Sequence, residues 1–430
     1  MSDRLIRKPI GDGVHFSCIS DSKFKRNRIS CNFVLPLDAQ QASDNAVVPF
    51  VLRMGSRECP DFSTLNARLC ELYGAVLDAD VTKYGGVQVL EISIQALDNR
   101  YALEGEDIIG QCAQLLADIV LSPKLDASGL LDEKDVALQK QYVLDTIEAD
   151  INDKRSYAIS RCLQEMCKGE PVAVRRYGTR ETAGRITTQS ATAAYRRMLE
   201  TAQVEILFTG SGDSAGAERI FCERFATVQR TPVLCPPVNL REKAETVREK
   251  TENMELSQSK LVIGMRTGKY KDASQITAAR VFAAMFGGTP FSKLFLNVRE
   301  KLSLCYYCAA RFDVSTKLLL IDSGVEAENK ALAQEEILRQ LQTVQQGDFT
   351  DEELFNTKLI MKNSVRSTTD SLSAIEGWYI SQILRGQNIS PREDLERIDA
   401  VTREEVVAAA KAVTLDTVYF LTGNEQKEVE

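Results

Sequence analysis

Histidine and cysteine are the side chains that most often bind transition metals, and this chain contains one histidine and eleven cysteines. The histidine, His15, lies in the run GVHFSCI, which has no cluster of acidic residues or cysteines beside it. A zinc site with two histidine ligands cannot form from one histidine, and a Ser-His-Asp catalytic set would need a better placed one. We therefore expect His15 to pack at the edge of a strand.

Cys305 and Cys308, in SLCYYCAARF, are the pair of cysteines whose spacing most suggests chemistry. The segment reads as a β-strand, in which side chains three residues apart point to opposite faces. Such an arrangement suits neither a zinc knuckle nor the redox pair found at the start of a helix. Several other cysteines, such as Cys70 and Cys222, lie among apolar residues. We expect reduced thiols that pack as small hydrophobic groups.

Composition narrows the class of protein. The 430 residues exceed what one hydrophobic core usually organises, which predicts two domains. A formal net charge of -8 argues against a protein that binds nucleic acid through its phosphate backbone. No run approaches the ~20 apolar residues of a membrane-spanning helix, and the N-terminal MSDRLIRKPIGDGVHF lacks the apolar stretch of a secretory signal. We expect a cytoplasmic protein with neither a nucleic-acid nor a membrane partner.

An internal repeat organises the chain. The segments GRITTQSATAAYRRMLETAQVEILFTGSGD and DAVTREEVVAAAKAVTLDTVYFLTGN both read as a cap, a helix, a short turn and a strand. The segments RISCNFVLPLDAQQASDNAVVPFVLRMGS and SKLVIGMRTGKYKDASQITAARVFAAMFGG both read as a strand, a polar loop and an apolar helix, which stops at Gly55 in the first and at Gly287 and Gly288 in the second. A helix that is apolar on all sides must be buried, and glycine after its end is typical of a left-handed cap.

Strands and helices mix without strict βαβ alternation, which predicts an α+β fold in each half, with a largely antiparallel sheet and helices on one face. We place an N-terminal domain at residues 1–228, a linker that begins with prolines and becomes strongly charged at 229–252, and a C-terminal domain at 253–430. The segment VQVLEISIQAL alternates but slips at Val89 and Leu90, which predicts a β-bulge. The segment LLLIDSGVEA is more uniformly apolar, as expected of a central strand.

The segment GGTPFSKLFLNVREKLSLCYY resembles the Gly-Gly-x-x-x-Ser-x-Leu-Phe-x-x-x-Arg-Glu-Lys-x-x-Leu-x-Tyr signature of the pitrilysin/insulinase metallopeptidase family, the inverted zincins. The order of the repeat extends this resemblance over nearly the whole chain. As a whole, the sequence most resembles bacterial non-catalytic members of the family. One group of these members is associated with aminopentanol modification of elongation factor P. The resemblance implies two homologous ferredoxin-like, metallopeptidase-type domains.

The same resemblance implies that the zinc site is lost. In the family, the first core helix carries H-x-x-E-H, whose histidines bind zinc and whose glutamate is the general base. Here Ala46, Pro49 and Phe50 occupy those three positions and offer no side-chain lone pair. On a later helix, Glu133 keeps an acidic residue of the family pattern, and Lys140 falls at the position of the remaining zinc ligand. We expect no cofactor in this chain, and zinc only in a partner.

The family signature also contains an arginine and a tyrosine, seven residues apart, which match Arg299 and Tyr306. In the family they hydrogen-bond substrate carbonyls and the oxyanion, a role that suits the forked donors of arginine and a phenolic hydroxyl. The alternative is structural: Arg299 would pair with a nearby carboxylate, and Tyr306 would pack in the sheet.

Two hypotheses about function follow from the resemblance. In the first, the chain is the non-catalytic subunit of a heterodimer. A homologous subunit with the H-x-x-E-H motif supplies zinc, and the two chains close a chamber around a peptide or protein substrate, to which Arg299 and Tyr306 contribute. In the second, the chain is a stand-alone peptide-binding or scaffold protein without a proteolytic role.

A candidate substrate-binding strand belongs to the second hypothesis. In the family, an extended peptide adds to the exposed edge of the first sheet. The matching positions here are Leu77, Asp78, Ala79, Asp80 and Val81. The charges of Asp78, Asp80 and Lys83 could equally protect an ordinary sheet edge from aggregation.

Overall fold

The structure, a computed structural model, describes residues 5–235 and 240–423. The strands are β1 (Ile6–Gly11), β2 (Val14–Ser20), β3 (Arg26–Pro36), β4 (Val76–Tyr84), β5 (Val87–Leu97), β6 (Gln203–Gly210), β7 (Arg248–Asn253), β8 (Ser259–Arg266), β9 (Cys305–Asp313), β10 (Leu318–Val325) and β11 (Thr414–Thr422).

The α-helices are α1 (Ala42–Leu52), α2 (Phe62–Glu71), α3 (Ile108–Leu121), α4 (Glu133–Ala149), α5 (Lys154–Met166), α6 (Arg180–Gly184), α7 (Thr188–Thr201), α8 (Ala215–Phe225), α9 (Ala273–Ala283), α10 (Lys330–Gln345), α11 (Asp351–Thr368), α12 (Leu372–Ile383), α13 (Pro391–Ala400) and α14 (Arg403–Lys411). Two segments are π-helical, Ala284–Gly288 and Leu294–Lys301. Within the described residues, no helix is long and apolar enough to cross a bilayer.

The strands form two sheets that share one topology. The six-stranded sheet has the order β1-β2-β6-β3-β5-β4, and the five-stranded sheet has the order β7-β11-β8-β10-β9. In each sheet the last strand of the repeat runs parallel to the first and antiparallel to the second: β6 with β2 and β3, and β11 with β7 and β8. Strand β1 is the one addition. The predicted α+β fold with two homologous domains is confirmed at the level of strand order and direction.

The chain divides into two compact units, and each unit includes a segment from the other half of the chain. The first contains described residues 5–148, 174–235 and 369–390, and the second contains 149–173, 240–368 and 391–423. Helix α5 therefore packs on β8, β10 and β11, while α12, its counterpart in the repeat, packs on β3 and β6. Strand β7 lies within the predicted linker and pairs with β11. The domain boundaries at residues 228 and 253, which were placed from the internal repeat, stay a prediction.

The core of the first unit lies between its sheet and helices α1, α3 and α7. As the sequence predicts, α1 is buried over nearly its whole length, including Val47, Val48 and Phe50. Burial of such side chains stabilises the fold by roughly 1.5–3 kcal/mol each. Helix α1 is thus a structural element of the core.

On the opposite face of this sheet, a cluster of charged side chains lies between the strands and helix α12. The guanidinium of Arg28 on β3 donates from Nε to Glu376 Oε2 at 2.7 Å and also bonds Glu91 on β5. Burial raises the pKa of Glu376 to about 7, although the nearby charge of Arg28 acts in the opposite direction. This buried cluster ties α12 to the sheet, because removing one member would leave a charge without its partner in a medium of low dielectric constant.

Two local predictions were wrong. Strand β5 contains no bulge: it pairs in unbroken register with β3 and β4. Because β5 lies between two strands and is largely buried, consecutive apolar residues such as Val89 and Leu90 need no slip in register. The predicted left-handed caps are also absent, since Gly55, Gly287 and Gly288 do not have positive φ angles.

Close packing explains the glycine in the signature instead. The segment that contains Gly287 runs directly against strand β9, and a Cβ at Gly287 would lie 2.6 Å from the backbone nitrogen of Ala310 and 2.8 Å from Leu294 Cδ1. At Gly288 the nearest atom to such a Cβ would be the Ala283 carbonyl oxygen at 3.5 Å, an ordinary contact.

We therefore expect Gly287→Ala to lower the free energy of unfolding by about 1–3 kcal/mol, because strand β9 must move to admit the methyl group. Gly288→Ala is the matched control and should change stability by no more than about 0.5 kcal/mol. Urea denaturation followed by circular dichroism measures both variants. Equal stability of the two would contradict the close approach.

Candidate functional site

The helix that would carry a zinc motif is apolar and closed. Ala46 has no exposed surface and Phe50 is 2% exposed. The Phe50 ring packs edge-on against Tyr142 of α4 at a centroid distance of 4.9 Å, and lies 6.4 Å from the ring of Tyr177. Together with Pro49, these side chains place carbon where a metal would need nitrogen or oxygen donors.

Lys140 makes a structural contact on the same side of the unit. Its ammonium donates to the carbonyl oxygens of Gly184 at 2.7 Å and Ile186 at 2.9 Å, just where helix α6 ends. A lysine at a helix C-terminus satisfies carbonyls that lack partners within the helix. Glu133 begins α4. Over the described residues, no group of three His, Cys, Asp or Glu side chains could hold a metal ion, and the residues at the family's metal positions do not fit zinc.

His15 is not at a sheet edge, so that prediction was wrong. It lies on β2, which sits between β1 and β6. Its Nδ1 lies 3.5 Å from Glu205 Oε1, and the same carboxylate binds the Arg7 guanidinium at 2.6 Å. Burial lowers the pKa of His15. The histidine is thus a packed residue next to an ion pair.

Arg299 lies on the π-helical segment Leu294–Lys301 of the second unit, with its side chain 41% exposed. Its guanidinium lies 4.7 Å from the centroid of the Phe295 ring. It forms an ion pair with its chain neighbour, in which Arg299 Nε lies 3.6 Å from Glu300 Oε1. Pairs this long and this exposed contribute about 0–1 kcal/mol. The guanidinium is therefore presented at the surface, and π-helical turns often occur at functional sites.

Tyr306 lies on β9, immediately after this segment, and is 60% exposed. Its hydroxyl donates to Glu326 Oε1 at 2.8 Å, and this hydrogen bond raises the pKa of Tyr306. Tyr306 thus does not pack inside the sheet, and its phenol remains a donor at neutral pH. Glu326 was missed from the sequence because only the pairing of β9 with β10 brings it close.

The candidate peptide-binding strand is an edge strand. Among the strands that the structure describes, β4 pairs with β5 alone. Three of its backbone groups are bonded to side chains: Asp78 Oδ1 accepts from the Ala79 N–H at 2.9 Å, Asp80 Oδ1 accepts from the Val81 N–H at 2.7 Å, and Arg176 donates to the Val81 carbonyl oxygen at 3.3 Å. The alternating aspartates are the sequence signal of this protection. A peptide could add here only by displacing them.

The signature segment also exposes apolar side chains that sequence reasoning missed. Phe291 is 55% exposed, Leu302 46% and Leu296 39%. They lie on the same stretch of chain as Arg299 and Tyr306. A surface that combines hydrogen-bond donors with large apolar groups is suited to binding polypeptide.

Comparison with known proteins agrees with this geometry. Residues 185–361 match the family described as "Peptidase M16 inactive domain". The chain is 31% identical over 413 residues to the "Probable inactive metalloprotease YmfF" of Bacillus subtilis (strain 168), which covers 96% of each protein. A conserved protein from Enterococcus faecalis V583 has a crystal structure that matches with a TM-score of 0.90 at 26% identity, covering 99% of this chain and 100% of that one.

A second crystal structure, titled as a peptidase M16 inactive domain from Pseudomonas fluorescens, shares the fold with a TM-score of 0.77 at 17% identity over 98% of both chains. The absence of a side-chain donor at Ala46, Pro49 and Phe50 agrees with the word "inactive" in the name of the Bacillus subtilis relative. This chain belongs to the peptidase M16 family, the pitrilysin/insulinase metallopeptidases, as an inactive homologue.

Proposed function

We propose that this chain is the non-catalytic subunit of a peptide-processing complex, in which a homologous chain with the H-x-x-E-H motif supplies the zinc site. The proposal is based on the difference between two parts of this chain, the helix of the zinc motif and the signature segment. The helix of the hydrolytic motif is filled with buried apolar side chains, yet Arg299 and Tyr306 remain exposed donors. Donors kept at the surface are of use to a substrate or a second chain.

The chemistry of the two residues fits a peptide carbonyl. Arginine presents several N–H groups in a rigid fork. Tyr306 has a single O–H, which must leave Glu326 before it can donate to a substrate carbonyl. Donors aimed at a carbonyl oxygen stabilise negative charge as it develops there. In the proposed complex, Arg299 and Tyr306 bind and orient the carbonyl of a substrate whose cleavage depends on the partner.

The exposed apolar residues of the signature segment support an assembly. Phe291, Leu296 and Leu302 each expose more than a third of their surface. Large apolar groups exposed along one stretch of chain are suited to contact with another polypeptide. We assign these three residues to contact with the partner or with the peptide.

The biological setting that we propose comes from the resemblance to bacterial proteins associated with aminopentanol modification of elongation factor P. In that setting, the complex would act on a protein or peptide linked to this modification, in the cytoplasm. The assignment is separate from the pairing itself and is tested separately, by comparing the modification in cells with and without the chain.

A second candidate function is peptide binding by the chain alone at β4. The edge position of Leu77, Asp78, Ala79, Asp80 and Val81 favours it, since an added strand would gain backbone hydrogen bonds. The aspartate carboxylates that cap Ala79 and Val81 oppose it. We rank it below the subunit role for that reason.

Co-expression with an H-x-x-E-H homologue from the same organism tests the proposal. We expect a stable heterodimer by size-exclusion chromatography with light scattering, with zinc and peptide hydrolysis in the mixture and neither in this chain alone. Zinc content is measured by atomic emission, and hydrolysis on a mixed peptide library.

Two outcomes would contradict the subunit role. Stoichiometric zinc in the isolated chain would show that the apolar helix does not exclude the metal. Separate elution of the two proteins, combined with binding of extended peptides by this chain alone, would favour the second candidate. Isothermal titration calorimetry provides the peptide-binding measurement.

A further inference from the structure

The register of β9 overturns the expectation for Cys305 and Cys308. Cys308 lies opposite Ser323 of β10, and Tyr307 lies opposite Gly324, but Val325 pairs with Cys305. Tyr306 is therefore an extra residue in β9, a β-bulge. A bulge breaks the alternation of side chains, so residues three apart need not point to opposite faces.

The two thiols lie together as a result. With one extra residue between them, the Cys305 and Cys308 side chains fall on the same face of β9, and each thiol influences the pKa of the other, as the Ser323 hydroxyl also does. Cys305 is 8% exposed and Cys308 is 5% exposed. The neighbouring Cys308 thiol, helped by Ser323 and by the positive charge of Arg299, lowers the pKa of Cys305 to about 7 against the effect of burial. A thiolate is the reactive form of cysteine.

We propose that Cys305 and Cys308 form a reversible disulfide that moves Tyr306 and so regulates the surface that carries Arg299. The part of this inference that concerns regulation rests on the proposed function. Formation of the disulfide itself does not depend on it, because it follows from the bulge that places both thiols on one face of β9.

Hydrogen peroxide is small enough to reach a sulfur with little exposed surface, and one molecule of it can oxidise two thiols to a disulfide. The Cys305 thiolate attacks one peroxide oxygen and the O–O bond breaks, which gives a sulfenic acid and a hydroxide that becomes water on protonation. The Cys308 sulfur then attacks the Cys305 sulfur. The S–S bond forms, the S–O bond breaks, and the leaving hydroxide takes the thiol proton as a second water. Two thiols are oxidised and one peroxide is reduced.

The bond would act on Tyr306 through distance. A disulfide holds its two Cα atoms about 4.4–6.8 Å apart, whereas the two ladder positions that separate Cys305 from Cys308 span roughly 7 Å. Closing the bond must therefore tighten the bulge. Tyr306 is the extra residue of that bulge, so its hydrogen bond to Glu326 is expected to break.

The full-length chain offers a direct test with an internal control. Trypsin releases Cys305 and Cys308 together on peptide 302–311, and releases Cys162 and Cys167 together on peptide 162–168. Cys162 and Cys167 are fully buried and belong to the same unit of the structure. The reduced protein is treated with peroxide, denatured, alkylated and analysed by mass spectrometry.

After oxidation, we expect the mass of peptide 302–311 to fall by that of two hydrogens and its cysteines to stop reacting with iodoacetamide. Dithiothreitol should restore both the mass and the reactivity. Peptide 162–168 should stay fully alkylated. Hydrogen–deuterium exchange should rise over residues 302–311 after oxidation, and should not rise in the Cys305→Ser/Cys308→Ser variant.

Two results would overturn the inference. One is a 302–311 peptide that stays alkylated or is oxidised to sulfinic acid without forming the disulfide. The other is a disulfide that leaves exchange at residues 302–311 unchanged. In the heterodimer, oxidation should reversibly lower hydrolysis, and the double serine variant should resist it. Absence of a heterodimer would remove the proposed subunit role but leave the mass and exchange results to decide the disulfide.

Discussion

Arg299→Ala is expected to lower peptide hydrolysis by the reconstituted heterodimer by about 10²–10³-fold, the usual effect of removing one donor that stabilises a developing oxyanion. The structure supports an effect on chemistry rather than on folding. The side chain is 41% exposed and lies 3.6 Å from Glu300 in a loose pair, and its stacking on Phe295 is a surface contact. Complex formation and thermal stability should therefore stay close to wild type.

The same experiment includes variants that separate charge from geometry. Arg299→Lys keeps the charge but loses the forked donors, so it should recover little activity. Arg311→Ala removes an exposed arginine from strand β9 itself and should leave the rate unchanged. Initial rates at low substrate concentration report kcat/KM for each heterodimer. An Arg299→Ala rate within about twofold of wild type would show that the chain completes the chamber without contacting the reacting carbonyl.

Arg266→Met is expected to lower the free energy of unfolding of the second unit by about 3–5 kcal/mol, the cost of leaving a buried charge without its partner. Arg266 is 1% exposed. Its Nε donates to Asp416 Oδ2 at 2.6 Å, and its Nη2 donates to Glu170 Oε1 at 3.0 Å and to the Met166 carbonyl oxygen at 2.8 Å. One guanidinium thus joins β8, β11 and the end of α5.

Urea denaturation, followed by circular dichroism, measures this loss. Arg392→Met is the matched control, because the Arg392 and Glu396 side chains are 71% and 72% exposed and 3.9 Å apart. Its effect should stay within about 0.5 kcal/mol. A loss below about 1 kcal/mol for Arg266→Met would mean that water or a shift in structure compensates Asp416 and Glu170.

The repeat was readable from the sequence because periodicity and turn residues are local. The buried helix α1, the central strand β10 and the two-domain α+β class all followed from runs of apolar residues and their spacing. The exchange of α5 and α12 between the units was not readable. Both helices are segments of ordinary length, and sequence does not state which sheet covers the apolar side chains of a helix.

The candidate site shows the same division. The absence of a two-histidine site in this chain needed only a count of histidines. The sequence also identified Arg299 and Tyr306 by resemblance, but not their exposure, the Glu326 hydrogen bond or the aspartates that cap β4. Each of these depends on which strands become neighbours.

Strand β9 and its neighbours mark the limit most clearly. By itself, the sequence determined that Cys305 and Cys308 are three residues apart and that glycine follows an apolar helix. Only the tertiary structure decided that the thiols meet, through a bulge at Tyr306, and that Gly287 makes room for β9 rather than capping a helix. Side-chain direction in a strand depends on register against its neighbour, and the space at a glycine depends on what packs against it.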